Sequence, residues 1–490
     1  MTTTATPAGP RTATIPEVGH LIDGLQVFRD LRDVHDPGRL DEVVARVAAG
    51  GSEDVERAVT AAHRAFPGWR DTPVPERIRR LTAAAETLGA SGEELAPLLV
   101  REHGGLLHEA ESDFGVGTGV LRHTLSVVED VLGVVAYDDE RGSITIEKVP
   151  RGVAVAIVPW NMPITLAMLK LAPALATGNT LVVKPSPSAP AALTLALSRM
   201  VDHLPSGVLG VVHGGADVGD ALCRHPLVRK VSFTGGTTAG RRIIESAAPG
   251  ITDLTLELGG NDPALVLDDA DPDLTVDRMV PGVFMRSGQV CFAVKRVYVP
   301  RRMYARFADA FCDRVDQYAV GHGLNPASSF GPLGNEAQHR RVTDLLRRTA
   351  ASSARVIERG SKVDESGWDN GYYVLPHVVL DADHDAPISR EEQFGPLVPL
   401  IAYDDEEQAL AWVNDSEHGL ASSVWCADPE RGLAMARRVE AGSTFVNTHS
   451  FESLDPRMPF GGIKCSGIGR ECGDAGMAGY VEAHAIRHLQ

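Results

Sequence analysis

The N-terminal part of the chain has hydrophobic positions at helical spacing. Apolar side chains recur at three- and four-residue steps from about Ser52, which predicts a helix that the pair Pro67-Gly68 breaks. Pro75 opens a second predicted helix, which ends near Gly89. A third helix is predicted across Glu93–His103. The ordered part of the chain is therefore expected to begin mainly with helices.

From Gly152 onward, short apolar runs alternate with helical segments. Buried strands separated by helices of about ten to fifteen residues are typical of a parallel, doubly wound sheet. Ligands of such sheets bind beyond the carboxyl ends of the strands. The predicted strands are Gly152–Pro159, Thr180–Pro185, Gly207–Gly214, Lys230–Gly236 and Asp253–Gly260, and the predicted helices are Leu166–Leu175, Ala191–His203, Asp217–His225 and Thr238–Ala247.

A second α/β pattern occupies the C-terminal half. Its predicted strands are Lys295–Pro300, Tyr372–Leu380, Leu397–Tyr403 and Ser422–Ala427, with a helix around Met303–Tyr318 and a surface loop at Glu358–Asn370. Ahead of both patterns, Ser143–Val149 alternates apolar and polar residues like an exposed strand. Such a strand either lies at a sheet edge or pairs with another subunit.

Composition and charge narrow the function classes. The 490 residues carry 47 Lys and Arg against 65 Asp and Glu, a net charge of −18, which argues against nucleic-acid or anionic-membrane binding. The six cysteines are scattered, with no CxxC pair and no zinc-finger spacing. No uninterrupted apolar run reaches membrane-helix length, and residues 1–20 are predicted to be a mobile tail. A cytoplasmic protein without a bound metal is expected.

Three residues are candidates for catalysis. Cys291 follows a Gly-Gln turn, where a thiolate would be a strong nucleophile, although a single cysteine is more often a buried core residue. Glu257 ends a predicted strand beside two glycines and suits a general base, or alternatively faces solvent at a strand edge. Asn161 directly follows the first parallel strand; its amide suits an oxyanion donor, or it forms a turn between two prolines.

A glycine-containing turn and a lysine could hold a nucleotide. Gly235, Gly236 and Gly240 lie at a predicted strand-to-helix turn, where backbone N–H groups can bind a pyrophosphate. The spacing departs from the strict dinucleotide fingerprint, so it is a weak signal alone. Lys184 ends the second strand, where it reaches a ribose or phosphate or is simply a solvated surface lysine.

Together these segments resemble the NAD(P)-dependent aldehyde dehydrogenase superfamily, from about Arg46 to Ala485. The matching segments, in order, are PWNMP (159–163), VVKPS (182–186), SFTGGTTAG (232–240), LELGG (256–260), GQVC (288–291), EEQFGP (391–396) and PFGGIKCSGIGRE (459–471). Their order and separations match the family as well. Each segment is only modestly specific, but seven in the correct order make a chance match very improbable.

The resemblance implies a fold, a domain organisation and an assembly. The fold is α/β, with a Rossmann-type cofactor domain, an α/β catalytic domain and a small β oligomerisation arm. The expected cofactor domain covers 21–124 and 148–258, the catalytic domain 259–460, and the arm 125–147 and 471–490. The partners implied are a small aldehyde substrate and further copies of the chain, as a homodimer or homotetramer.

The resemblance also implies a reaction, the oxidation of an aldehyde to a carboxylic acid. Cys291 would attack the aldehyde carbon, and Asn161 with the backbone N–H of Cys291 would stabilise the oxyanion. Hydride transfer to the nicotinamide would leave a thioester, and Glu257 would activate the water that hydrolyses it.

The implied cofactor is NAD or NADP, with NAD favoured. The implied binding residues are Val158, Pro159, Trp160, Lys184, Ser186, Pro187, Gly215, Phe233, Thr234, Gly235, Gly236, Gly240, Leu258, Glu392 and Phe394. Pro187 stands where NAD-preferring members often have Glu, so a 2′-phosphate meets no like charge there. Gly236 replaces a frequent Ser, and Gly105 replaces a usual Lys.

The expected substrate is a hydrophobic aliphatic or aromatic aldehyde. The residues matched to the substrate tunnel are apolar: Met162, Leu169, Val290, Phe292, Phe451 and Leu454. The neighbouring loop Asn447–Pro459 carries His449, Asp455 and Arg457, any of which could overturn this preference. Alternatives are a CoA-acylating or semialdehyde-specific relative, or a catalytically idle binding protein with the same fold.

Overall fold

The structure is a computed structural model that describes residues 15–489. In chain order its strands are β1 (Glu17–Val18), β2 (His20–Ile22), β3 (Leu25–Val27), β4 (Arg32–Asp36), β5 (Arg39–Val47), β6 (Val135–Asp139), β7 (Gly142–Pro150), β8 (Val153–Ile157), β9 (Thr180–Lys184), β10 (Leu209–Val211), β11 (Val228–Thr234), β12 (Asp253–Glu257), β13 (Asp262–Val266), β14 (Val294–Pro300), β15 (Ala319–Val320), β16 (Arg355–Glu358), β17 (Ser361–Lys362), β18 (His377–Leu380), β19 (Leu397–Tyr403), β20 (His418–Gly419), β21 (Ala421–Trp425), β22 (Ser443–Val446), β23 (Ile463–Lys464), β24 (Gly467–Ile468) and β25 (Val481–Leu489).

The helices are α1 (Ser52–Arg70), α2 (Val74–His103), α3 (Leu107–Val131), α4 (Pro163–Ala176), α5 (Ala191–Met200), α6 (Ala216–Arg224), α7 (Thr237–Ala247), α8 (Pro272–Phe284), α9 (Arg301–Val315), α10 (Glu336–Ala350), α11 (Pro387–Arg390), α12 (Glu406–Asn414), α13 (Pro429–Ala436) and α14 (Gly473–Ala478). None of them, within residues 15–489, has the length and apolar character needed to span a bilayer.

Two large sheets organise the chain. The first has eight strands in the order β24-β12-β11-β8-β9-β10-β2-β3, and its central strands from β12 to β10 are parallel. The second has seven strands in the order β16-β18-β19-β14-β13-β21-β22, parallel except for the edge strand β16. The predicted βα order is thus confirmed, and the carboxyl ends of the first sheet present the segments that carry the candidate residues.

A small antiparallel sheet of β25, β7 and β6 projects from these layers. The expected exposed strand at Ser143–Val149 is the middle of β7, and it pairs along its whole length with β25. Apolar side chains on this sheet, including Val135, Tyr137 and Ile486, are exposed. The expected domain boundary at residue 124 falls within α3, which continues to Val131.

Several element predictions are wrong, each for a packing reason. Pro67 does not break α1, because it lies on the exposed side of the last turn while Trp69 anchors that turn by an Nε1–H bond to the Leu175 carbonyl (3.0 Å). The second and third predicted helices are one helix, α2, in which Gly92 lets α3 approach: a Cβ there would lie 3.1 Å from Phe114 Cβ.

Other corrections concern element ends. The predicted tail 1–20 extends too far, since Glu17–Val18 pairs with β5 and His20 is fully buried; residues 1–14 lie outside the described residues. The strand predicted at Tyr372–Leu380 begins only at His377. The sequence also gave no signal strong enough to predict α3, whose glycines lower its helix propensity.

One of those glycines is required by packing and another is not. A Cβ at Gly117 would lie 3.2 Å from Ile164 Cγ2 and from Met168 Cγ, whereas a Cβ at Gly115 meets nothing within 4 Å. Gly117→Leu is therefore expected to destabilise the protein by about 1–3 kcal/mol through overpacking. The matched control Gly115→Leu should be neutral or stabilising by up to about 1 kcal/mol, since glycine is a poor helix former. Thermal denaturation midpoints measure both, and equal effects would contradict the close packing of α3 on α4.

Candidate active site

Cys291 lies in a tightly held turn after α8. Arg286 and Ser287 adopt left-handed conformations (φ 53° and 58°), and Gly288 does the same at φ 74°. The Ala293 N–H then donates to the Val290 carbonyl at 3.1 Å, which closes a turn around Cys291 and Phe292. This turn is called the nucleophile turn below (Val290–Ala293). The Cys291 side chain is partly exposed.

Two cavities meet at this turn, and both are lined by Cys291 and Asn161. Asn161 follows β8, is 6% exposed, and its Nδ2 donates to the Gln289 carbonyl at 2.8 Å. The side-chain amide is therefore tied to the segment that leads into the nucleophile turn. A thiol and an amide donor at the junction of two cavities have the arrangement needed for attack on a carbonyl and stabilisation of the resulting oxyanion.

The first cavity lies beyond the carboxyl ends of the parallel strands. Eight of the implied cofactor residues line it: Pro159, Trp160, Thr234, Gly235, Gly236, Leu258, Glu392 and Phe394. Phe394 has φ 45° and packs edge-on against Trp160, with ring centroids 5.8 Å apart. Glu392 accepts from the Gly260 N–H at 3.1 Å, and its pKa is raised by burial. The lining residues Gln338 and Arg341 were not identified from the sequence.

The other implied cofactor residues do not line this cavity. Gly215 is the N-cap of α6, and Gly240 packs against Leu258. Lys184 is 6% exposed at the end of β9, and burial lowers its pKa to about 8. Phe233 is a buried residue of β11, and Val158 is buried directly after β8. After β9, Ser186 is partly exposed and Pro187 is exposed.

The second cavity has a volume of about 370 Å³ and is mostly apolar. All six residues expected in the substrate tunnel line it: Met162, Leu169, Val290, Phe292, Phe451 and Leu454. The structure adds residues that sequence reasoning missed, among them Val116, Val120, Leu166, Met458, Phe460 and Cys472. No Lys or Arg is among the described residues that line it. Asp455 is the only carboxylate there, and Arg457 pairs with it at 2.6 Å.

Glu257 is the last residue of β12 and is 2% exposed. Neither carboxylate oxygen has a hydrogen-bond partner within the described part of the chain. Burial, together with the nearby Glu471 carboxylate, raises the pKa of Glu257 well above its ordinary value. Glu257 lines neither cavity in this conformation. Glu257 is therefore a buried acid without a hydrogen-bond partner among the described residues, and its environment disfavours its ionised form.

A buried ion pair that was not identified from the sequence lies close to Glu257. Lys170 of α4 is fully buried, and its Nζ donates to Glu471 and to Thr234 Oγ1, the latter at 2.7 Å. Glu471 is 4% exposed and also accepts from Ser232 Oγ at 3.3 Å. The partners are 301 residues apart in the chain, so no local pattern could have identified the pair.

Gly105, which the resemblance marks as an unusual residue, is explained by packing. A Cβ there would lie 2.6 Å from His103 Cε1 and 3.2 Å from Arg286 Nη1. The Arg286 guanidinium is buried in this space and donates to the Asn161 carbonyl. A side chain at position 105 would therefore force the His103 ring to move and would crowd the arginine that contacts Asn161.

The electrostatics of the site make a testable prediction about the thiol. Burial raises the pKa of Cys291, and the carboxylates of Glu257, Asp262 and Glu392 raise it further. Thiolate is the form that reacts with alkylating agents, so alkylation of Cys291 in the free protein should be slow at neutral pH and accelerate at alkaline pH. Glu257→Gln removes one opposing charge and should shift this profile to lower pH. The rate is measured by mass spectrometry in a Cys472→Ala background, and a shift to higher pH would contradict the electrostatic assignment.

Comparison with known proteins gives a consistent result. Residues 28–486 match the family model described as the aldehyde dehydrogenase family. A putative aldehyde dehydrogenase from Burkholderia cenocepacia superposes with a TM-score of 0.92 at 33% identity, covering 96% of this chain and 97% of that one. Betaine aldehyde dehydrogenase from Staphylococcus aureus, in complex with NAD⁺, gives 0.91 at 32% identity, covering 96% and 94%. A lactaldehyde dehydrogenase gives 0.92 at 32% identity, covering 97% and 100%.

Proposed function

The chain belongs to the aldehyde dehydrogenase family, and we propose that it oxidises hydrophobic aliphatic or aromatic aldehydes to carboxylic acids. It is an NAD(P)-dependent oxidoreductase. The observation that carries the proposal is the position of Cys291 and Asn161 between a cavity with the implied cofactor residues and an apolar cavity.

In the proposed reaction Cys291 loses its thiol proton to water, and the thiolate sulfur attacks the aldehyde carbon from the nucleophile turn. Asn161 Nδ2–H and the Cys291 backbone N–H donate to the oxygen as it becomes negative. A bound cofactor would supply the hydride acceptor. Phe394 and Trp160 line the cavity that would hold it, and the Glu392 carboxylate there would accept hydrogen bonds from its hydroxyl groups. Glu257 then takes a proton from the water that attacks the thioester, for which its side chain must turn from its buried position toward Cys291.

The raised pKa of Glu257 supports this role. A carboxylate with an ordinary pKa is a weak base at neutral pH, and burial raises the pKa of Glu257 and so makes its carboxylate a stronger base. A hydrolytic base next to the thioester also favours acid formation over transfer of the acyl group to CoA. The CoA-acylating alternative is therefore the weaker one.

The apolar cavity supports the substrate class. A volume of about 370 Å³ is at the low end for drug-sized ligands. Betaine aldehyde carries a cation and lactaldehyde a hydroxyl group, and either would be desolvated among phenylalanine and leucine side chains. This chain therefore shares its fold and reaction class with the structural relatives named for those substrates, but we propose a different substrate for it.

One observation favours a second candidate, a semialdehyde. A larger cavity of about 790 Å³ adjoins the second, apolar cavity and shares Val116, Met162 and Phe451 with it. Arg278 lines this larger cavity, where its guanidinium could pair with a carboxylate at the far end of a substrate. A long substrate with an acidic end would span both cavities.

NAD(P)H formation with a panel of aldehydes tests the function. The panel contains hexanal, phenylacetaldehyde, betaine aldehyde, lactaldehyde and succinic semialdehyde, each with NAD and with NADP. We expect kcat/KM for the apolar aldehydes to exceed that for the charged ones by at least about tenfold, and Cys291→Ala to be inactive. Glu257→Gln should keep a rapid burst of NAD(P)H but lose about 10²–10⁴-fold in steady-state rate. Turnover by Cys291→Ala would contradict covalent catalysis, and preference for succinic semialdehyde would establish the second candidate.

A pair of adjacent glycines tests the proposed phosphate contact at the N-terminus of α7. A Cβ at Gly236 meets nothing within 4 Å, so Gly236→Ser adds a hydroxyl donor without a clash, and the cofactor KM should fall severalfold with kcat little changed. A Cβ at Gly235 would lie 2.4 Å from Phe233 Cζ, so Gly235→Ser should raise the cofactor KM. We therefore expect the two substitutions to change the cofactor KM in opposite directions. A raised cofactor KM in both variants would argue against a phosphate at this turn.

The proposed assembly is a homodimer or homotetramer formed through the sheet of β25, β7 and β6. Support comes from its exposed apolar side chains and from the unpaired outer edge of β25. The expected domain boundaries and the cytoplasmic location stay predictions.

A further inference from the structure

His449 lies directly behind the nucleophile turn and is fully buried. Its Nε2 is 2.6 Å from the Phe292 carbonyl oxygen, and its Nδ1 is 2.9 Å from Ser423 Oγ. The Phe292 ring stacks nearly parallel to the imidazole, with ring centroids 6.3 Å apart and an angle of 5° between the planes. None of the proposed chemical steps uses this histidine.

The hydrogen-bond chain has only one possible direction. Trp425 Nε1 is a donor only and donates to Ser423 Oγ at 2.9 Å. The Ser423 hydroxyl proton is then free to go to His449 Nδ1. At the other end a carbonyl oxygen can only accept, so Nε2 must carry the imidazole proton and donate it to Phe292. The chain thus runs from Trp425 through Ser423 and His449 to Phe292.

The protonation state agrees with this direction. Burial lowers the pKa of His449 to about 4, so the ring is neutral at physiological pH. Among the residues that the structure describes, the carboxyl group within 4.0 Å of Nε2 is that of Asp262, through its Oδ2. Burial raises the pKa of Asp262 well above its ordinary value, which reduces its tendency to draw a second proton to the imidazole.

Each of three successive carbonyls of the nucleophile turn makes a close contact. The Val290 carbonyl accepts from Ala293 N–H, and the Cys291 carbonyl abuts Gly260, where a Cβ would lie 2.4 Å from the oxygen. Within residues 15–489, His449 is the side chain that holds the Phe292 carbonyl by a hydrogen bond. Loss of this bond would free the C-terminal half of the turn.

We propose that His449 is a positioning residue that orients the nucleophile turn by donating its Nε2–H to the Phe292 carbonyl. This inference rests on the proposed function for its effect on catalysis, but the tautomer and the hydrogen bond do not depend on that function. A displacement of about 1 Å between reacting groups can cost about 10²-fold in rate. A small reagent that diffuses freely to the thiol is far less sensitive to orientation.

Two polar substitutions of His449 test its two hydrogen bonds one at a time. His449→Gln places an amide N–H where Nε2 was and keeps the bond to Phe292, whereas His449→Asn places an amide oxygen where Nδ1 was and keeps only the bond to Ser423. We expect the rate constant of the NAD(P)H burst to fall about 10–100-fold in His449→Asn and to stay within about threefold of wild type in His449→Gln. KM for the cofactor should be unchanged in both, and alkylation of Cys291 by iodoacetamide should change by less than about threefold.

His377→Gln is the matched stability control. His377 is also buried, and its Nδ1 lies 2.7 Å from the Leu375 carbonyl, so the substitution removes a comparable bond elsewhere. Its denaturation midpoint should fall about as much as that of His449→Asn, with the burst unchanged. Equal burst rates in His449→Asn and wild type, or an equal loss in both His449 variants, would overturn the proposal.

Nitrogen NMR of the ¹⁵N-histidine-labelled protein tests the hydrogen bond without any aldehyde. The signal that disappears in His449→Gln should be that of a neutral imidazole protonated at Nε2. A neutral ring protonated at Nδ1 would overturn the proposal even in an active enzyme. The expected tautomer in a protein that forms no NAD(P)H would instead contradict only the proposed reaction.

Discussion

The buried ion pair between Lys170 and Glu471 is the interaction on which the site most depends. It joins α4 of the first sheet's layer to the segment that precedes α14, across 301 residues of sequence, and both side chains are almost fully excluded from water. Desolvation of two charges is costly, and the pair is held only because Thr234 and Ser232 supply further hydrogen bonds. The C-terminal segment is thereby fixed beside β12, where β24 adds an antiparallel strand.

This arrangement determines the charge of the catalytic region. One buried ammonium group lies near two carboxyl groups, and Glu471 is the one that pairs with it. Glu257 is left without a partner in a dry environment, which favours its neutral form. A neutral Glu257 does not oppose ionisation of the Cys291 thiol, whereas an ionised one does. The protein can thus keep a base close to its nucleophile without a permanent electrostatic conflict between them.

The sequence predicted those site residues that lie at or shortly after the end of an apolar strand. Asn161, Glu257 and Gly235 each directly follow or end an apolar strand, so the βα pattern alone places them near one sheet edge. Sequence reasoning failed where long-range packing decides, as at Pro67, which α1 tolerates because Trp69 anchors the next residues. Lys170 has the sequence environment of any helix lysine, and only the fold brings Glu471 to it.

The nucleophile turn contacts cavities on one side and a buried hydrogen-bond chain on the other. This difference explains which of the surrounding residues could be identified from the sequence. On the ligand side, side chains face cavities and their types reflect chemistry, so apolar residues such as Phe292 and Phe451 could be assigned to a tunnel. On the side away from the cavities, Ser423, Trp425 and His449 are almost fully buried. They form one hydrogen-bond chain to the Phe292 carbonyl, and the direction in which each bond donates depends on all three residues. A directional chain of this kind rigidifies only when every member is satisfied. The turn therefore holds Cys291 on a backbone that is fixed from behind, which preserves the orientation from which the sulfur attacks a carbonyl carbon.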